Sequence, residues 1–323
     1  MRLETKYLGL TLPNPVVIAS SPLTSSLKHV VEMENAGAGA VILKSIFEEQ
    51  ILDESQFLER FHDYPETIDY LRNYVGNDYI QGYLSLIKQA KASLAIPVIA
   101  SINCMNESGW VDYARKIEEA GADALELNIF LLPTRPEQTS AEIEKHYLDT
   151  ISSVTDVVGI PVSVKLPKKF TNVLNIASET YKRKAKGIVM FNRFIEPDID
   201  VDNLKVFDSD RLSSNAELRS TIRSVAMCAP QVSGIDIAVS TGVHTGEDLV
   251  KVLLAGAKAA EICTVVYKHG AAVIEEMKMY LASWMNTHGF DAVDQFVGLL
   301  SNKSSEDYNE FYQRAQYMKT FQQ

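Results

Sequence analysis

One junction recurs along this chain and restricts its fold more than any other feature. Ala36-Gly37-Ala38-Gly39-Ala40 runs into Val41-Ile42-Leu43-Lys44, Ala120-Gly121-Ala122-Asp123-Ala124 into Leu125-Glu126-Leu127-Asn128, and Ala255-Gly256-Ala257-Lys258-Ala259 into Ala260-Glu261-Ile262-Cys263. Each reads as a helix closed by a glycine and followed at once by a short buried strand, because glycine enters the left-handed backbone of a helix end at little cost. A second junction, Ile96-Pro97 and Ile160-Pro161, opens two more apolar runs. Proline is tolerated at the first residue of a strand.

Short apolar runs at 15–20, 40–45, 97–103, 124–129, 161–166, 187–192, 235–240 and 259–264 give eight candidate strands. Near-continuous apolar runs belong to parallel strands covered on both faces by helices. Helical spacing lies between them, as at Val111, Ala114, Ile117 and Ala120, or at Leu249, Val250, Leu253 and Leu254. Eight such units in 323 residues predict a closed (β/α)8 TIM barrel, with an open doubly wound sheet as the alternative. Residues 1–323 are read as a single domain ending in a polar helical tail at about 301–323. Two stretches break the alternation. Residues 46–79 are rich in Phe and Tyr, and 193–215 carry Asp198, Asp200, Asp202, Asp208 and Asp210, read as a solvated loop. Both follow strands, so both belong at the C-terminal mouth, where such barrels keep their sites.

The formal charge of -11 would repel a phosphate backbone, which excludes nucleic acid as a partner. A small anion stays open, since a few lysines can reverse the field within a cleft. Cys104, Cys228 and Cys263 have neither zinc nor iron–sulfur spacing, so no metal site is expected. Sparse cysteine suits a reducing cytoplasm. No apolar signal core and no run of 18 apolar residues occurs, which leaves no expected membrane contact.

In a barrel of this type the residues that end the strands face the site. Here they are Ser20 and Ser21, Lys44 and Ser45, Asn103, Asn128, Lys165, Asn192, Ser240 with Thr241 and Gly242, and Cys263 with Thr264. Lysines and amides, without histidine or carboxylate, suit an anion and a carbonyl-rich heterocycle better than a metal. Thr241–Gly242 and Cys263–Thr264 follow the last two strands, where small residues let backbone N–H groups approach a phosphate or simply make tight turns. Lys165 either stabilises negative charge on a bound group or pairs with a neighbouring carboxylate such as Glu126; Lys44 follows the same logic. Asn128 and Asn192 either line the site or satisfy loop backbone.

The order Asn14-Pro15 to Ala19-Ser20, Val41-Ile42-Leu43-Lys44-Ser45, Glu126-Leu127-Asn128, Val164-Lys165-Leu166-Pro167, Asn192, Thr241-Gly242-Val243 and Thr245-Gly246-Glu247-Asp248 resembles the dihydroorotate dehydrogenase family, in its class without a membrane anchor, from about residue 3 to 285. The resemblance implies an FMN-dependent oxidoreductase acting on a carbon–carbon bond, with dihydroorotate or another unsaturated or cyclic small molecule as substrate. FMN would lie at the barrel mouth. Ala19 and Ser20 would touch the flavin, Lys44 and Ser45 the cofactor and substrate, and Lys165 the pyrimidine edge. Asn103, Asn128 and Asn192 would line flavin and substrate, and Thr241, Gly242, Cys263 and Thr264 would hold the phosphate. Pyrimidine biosynthesis, a homodimer and an electron-accepting partner are implied with it.

The sequence also departs from that family. A Cys or Ser base stands before a Pro in the loop after Glu-Leu-Asn; here Leu132 precedes Pro133, and Thr134 is the nearby hydroxyl that is the candidate to serve instead. The substrate-binding Asn-Ser-Met-Gly-Leu-Pro-Asn stretch has no counterpart, though Asn73-Tyr74-Val75-Gly76-Asn77 lies nearby. Arg193 follows Asn192 where Ser or Thr is usual, and Leu212-Ser213-Ser214-Asn215 replaces a glycine-rich flavin loop. A missing general base removes about 10²–10⁴-fold in rate, so poor dihydroorotate turnover is expected. A non-catalytic flavin- or ligand-binding barrel, and a flavin-free lyase or isomerase for a phosphorylated substrate, are the alternatives.

Overall fold

The computed structural model describes residues 1–47, 65–103, 107–208, 210–302 and 311–313, with the side chains of 65–78 and 107–108 outside that description. Cys104, most of the aromatic stretch, the Asn73–Asn77 segment's side chains and most of the C-terminal tail therefore lie outside the described residues.

All eight expected strands form: β1 (Val16–Ile18), β2 (Ala40–Ile42), β3 (Val98–Asn103), β4 (Ala124–Asn128), β5 (Val162–Leu166), β6 (Gly187–Met190), β7 (Asp236–Ser240) and β8 (Ala259–Ile262). Each pairs in parallel with its neighbours, and β1 pairs with both β2 and β8, which closes the ring. The open sheet is thereby excluded. The three junction glycines take the expected left-handed backbone, with φ of 94° at Gly37, 93° at Gly121 and 119° at Gly256. Helices Glu107–Glu119 and Gly246–Ala255 occupy the two segments read as helical. They bury Ala114, Ile117, Leu249 and Leu253 against the outer faces of the strands.

An antiparallel hairpin, Thr5–Tyr7 with Leu10–Leu12, closes the bottom. Its Tyr7, Leu8 and Leu12 pack on the inward Val17, Ala40, Ile42, Ile99, Ala124, Val189, Ala238 and Ala259. The barrel floor is thus apolar and built of small side chains. Gly187 belongs to it: a Cβ there would stand 2.4 Å from Leu8 Cδ2, so a larger residue would have to displace the leucine of the plug.

The 193–215 stretch corrects the loop reading. Pro197–Asp200 and Lys205–Asp208 form an antiparallel hairpin. Its turn is held by Asp200 Oδ1, which accepts from the backbone N–H groups of Asp202 and Asn203 at 3.1 and 3.0 Å. The alternation Asp198-Ile199-Asp200 is a strand signal that the aspartate content masked.

Candidate active site

Strand geometry decides what faces the barrel axis. Inward side chains recur every second residue. Starting from the floor, Ala124 leads to Glu126 and then Asn128; Ile99 to Ser101 and Asn103; Ala259 to Glu261 and Cys263; Ala40 and Ile42 to Lys44. Ser163 leads likewise to Lys165. Above the apolar floor lies a polar layer, and above that the rim.

The absence of carboxylates from the strand-end residues is therefore misleading. Glu126 and Glu261 lie one layer deeper, 0% and 2% exposed, around Lys165 at 5%. Lys165 Nζ donates to Glu261 Oε2 at 2.7 Å and stands 3.7 Å from Glu126 Oε1. Burial by itself would lower the ammonium's pKa, but Glu126 and then Glu261 outweigh it and hold it above its ordinary value. Glu126 is pushed up to about 8, first by burial and next by the charge of Glu261, with Lys165 opposing. Of the two sequence alternatives for Lys165, the pairing with carboxylates is present, and the side chain also lines the mouth cavity.

A cavity of about 290 Å³ opens there, lined by Ser20, Ser21, Pro22, Lys44, Ser45, Phe47, Glu126, Asn128, Lys165 and Asn192. It brings together seven of the strand-end residues read from the sequence: Ser20, Ser21, Lys44, Ser45, Asn128, Lys165 and Asn192. The Ser45 N–H donates to Ser20 Oγ at 2.9 Å, and its hydroxyl reaches Ser101 Oγ at 2.8 Å. Asn192 Nδ2 donates to Asn128 Oδ1 at 2.7 Å, and Asn103 Nδ2 to the Asn128 carbonyl at 2.8 Å. Asn103 thus stands behind the rim as a support, and Ala19 is buried beneath it.

The residues read as phosphate loops gather around a different centre. Thr241 Oγ1 donates to the Phe191 carbonyl at 3.1 Å, from a left-handed backbone with φ of 72°. Thr264 Oγ1 accepts from the Ser213 N–H at 3.1 Å and its hydroxyl at 3.0 Å, and Ser213 Oγ reaches His244 Nε2 at 2.9 Å. Burial pushes the Cys263 thiol up, with the Ser21 hydroxyl and Lys165 pulling it back. His244 was not singled out from the sequence, and Ser213 only within the stretch that replaces a flavin loop, since both belong to loops without a repeating pattern.

The loop after β4 does not bring Thr134 to the others. Thr134 is exposed and lines neither cavity. Leu132, 64% exposed, lines a neighbouring cavity of about 860 Å³ with Leu131, Phe170, Phe194 and Arg193, and the two cavities share Asn192. Among the described residues no cluster of His, Cys, Asp or Glu could hold a metal ion, and no helix is long and apolar enough to cross a membrane.

The chain is a closed parallel barrel whose mouth offers two ammonium groups, two amides and several hydroxyls. The chain belongs to the dihydroorotate dehydrogenase family, whose description, "Dihydroorotate dehydrogenase", matches residues 2–285. It is 27% identical to the dihydroorotate dehydrogenase B (NAD(+)) catalytic subunit of Thermoplasma volcanium, over 92% of this chain and 98% of that protein. The corresponding subunit of Pyrococcus furiosus is 26% identical, over 93% and 99%. The NAD-dependent dihydropyrimidine dehydrogenase subunit PreA of Escherichia coli (strain K12) is 22% identical, over 96% and 80%. The chain is an oxidoreductase of this family.

Proposed function

We propose that residues 1–323 form one FMN-binding unit that oxidises or reduces a carbon–carbon bond of a small, cyclic, carbonyl-bearing substrate at the barrel mouth. The observation that carries this reading is the convergence of Lys44, Lys165, Asn128, Asn192, Ser20 and Ser45 on one cavity. The donor set fits a flavin: ammonium and amide groups match ring carbonyls and nitrogens. The amide N–H groups of Gly242 and Val243 have no protein acceptor among the described residues, which suits a phosphate between Thr241–Gly242 and Cys263–Thr264. Bound FMN would supply hydride acceptance. Lys165 would hold the ring's pyrimidine edge, Lys44 and Ser45 would reach both ring and substrate, and Asn128 and Asn192 would orient the substrate with Asn103 behind them.

Relatives named for dihydroorotate and for dihydropyrimidine make a reduced pyrimidine the first substrate to consider. Leu132 cannot accept a proton and Thr134 points the proposal to no base, so dihydroorotate oxidation is slow in this reading. The larger cavity, walled by Leu131, Leu132, Phe170, Phe194 and Ile195, favours a second substrate reading: a bulkier, more apolar compound reaching past Asn192. Because relatives are named as subunits, electrons pass to a protein partner. The exposed apolar side chains of the 197–208 hairpin support a homodimer, and the cytoplasm is the setting.

The test is spectroscopic and kinetic. The purified protein, or protein given FMN, should show bound-flavin absorbance and turn over dihydroorotate far below about 1 per second, the low end of usual enzyme rates. Leu132→Cys should raise that turnover measurably if the base alone was lost, and leave it unchanged if the pocket serves the bulkier compound. Protein that takes up no FMN would end the proposal.

A further inference from the structure

Two carboxylates share one ammonium in the polar layer of the barrel. Glu261 holds the good contact with Lys165, 2.7 Å, and Glu126 the poor one, 3.7 Å. Neither oxygen of Glu126 has a hydrogen-bond partner, although the side chain is fully buried and lines the mouth cavity. With both acids ionised the layer would carry two negative charges against one positive, away from water. An uncompensated buried carboxylate costs several kcal/mol, and such a group takes up a proton instead.

Apart from Lys44 at the rim, which forms no ion pair with either acid, the remaining titratable neighbours supply no second cation. Tyr7 approaches from the floor hairpin, Tyr83 from the helix Pro65–Ser93, and Cys263 lies beside Lys165. Burial first of all holds each of the three above its ordinary value, so all three are neutral near pH 7. Lys44 lines the same cavity from the end of β2.

We propose that Glu126 is the proton-carrying residue of this site, gaining a proton when negative charge is placed against Lys165 and releasing it when that charge leaves. Lys165 is one cation serving two acids, and an anion at the cavity side competes for it. Glu126, already the worse-served acid, then loses what compensation it has, and its proton affinity rises. The identity of the incoming charge rests on the FMN reading: it is the pyrimidine edge of the ring on reduction. Two electrons and one proton, delivered by a dihydro substrate or by dithionite in a titration, take the ring from neutral to a single negative charge. One further proton from solvent takes the Glu126 carboxylate from negative to neutral. Above the resting titration point of Glu126, two protons therefore accompany two electrons; below it Glu126 is already protonated and one does.

Two measurements test this separately. In ligand-free protein, infrared spectra should show a buried carboxylic-acid band that is lost as pH rises through about 8 and is absent from Glu126→Gln at every pH. Persistence of the band in that variant would place the proton on another group and overturn the assignment. Glu261→Gln is the second variant: it removes the competing acid, lets Lys165 serve Glu126, and should move the loss of the band to lower pH; an unmoved band would overturn the shared-cation argument. In FMN-loaded protein the midpoint potential should fall by about 30 mV per pH unit below pH 8 and by about 60 mV just above it, since each proton per two-electron couple contributes about 30 mV. Glu126→Gln should keep the shallower slope throughout. A single slope in loaded wild-type protein would overturn the coupling. Failure to load FMN would instead end the proposed function, leaving the infrared arm to decide the proton assignment.

Discussion

Lys165 shows how far a side chain's role depends on partners that its own position does not reveal. As the polar residue near the end of an apolar run it is legible as a site residue, and the alternative of a paired lysine is legible with it. Its main partner was not. Glu261 lies two residues inside its rim, where attention to strand ends passes over it; the two-residue period of a strand, counted from Ala259, would have found it beside Glu126. Thr134 lines neither cavity for the opposite reason. Proximity in sequence to the base position said nothing about where an irregular loop carries its hydroxyl. The buried cluster makes a direct prediction. Lys165→Ala leaves two buried acids without a cation, and breaking a buried pair from one side typically costs about 3–5 kcal/mol. Denaturant unfolding at neutral pH should show a loss near that size, reduced when Glu261→Gln is added. A loss under about 1 kcal/mol, the level of an exposed pair, would mean that the cluster is solvated.

Among the elements, the strands and the junction glycines followed from local rules, and the hairpin of 197–208 did not. Five aspartates suggested a solvated loop, yet Asp198-Ile199-Asp200 alternates in the manner of a strand and pairs with Lys205-Val206-Phe207. The hairpin covers no core: Ile199 is 65% exposed, Leu204 87% and Val206 72%. Apolar side chains gathered on an exposed element mark a protein contact. Val206→Lys combined with Leu204→Asp should convert a dimer into monomers in sedimentation experiments. The unfolding midpoint of the monomer should stay within about 0.5 kcal/mol of wild type, as exposed substitutions usually do. A dimer that survives both changes would place the contact elsewhere.

The whole molecule is a ring whose lower half is an apolar plug and whose upper half is a polar cup, so a ligand in the cup contacts most of the strands at once. Binding there stabilises the entire barrel by mass action: FMN at a hundredfold excess over its Kd should add about 2.7 kcal/mol. Thermal unfolding should shift upward by several degrees with added FMN and by less with riboflavin, which lacks the phosphate. Equal shifts for the two would count against the Thr241–Gly242 and Cys263–Thr264 phosphate site. The sequence by itself determined the barrel, because helix ends and buried strands are set by neighbouring residues and the same junction recurs. It also determined the rim, since strand ends must face the mouth. Only the tertiary structure decided which charges meet. Lys165 and Glu261 stand 96 residues apart, and no local rule joins them. Ring closure and the phase of each strand place both in one buried layer with Glu126, and the electrostatics of that layer belong to the fold as a whole.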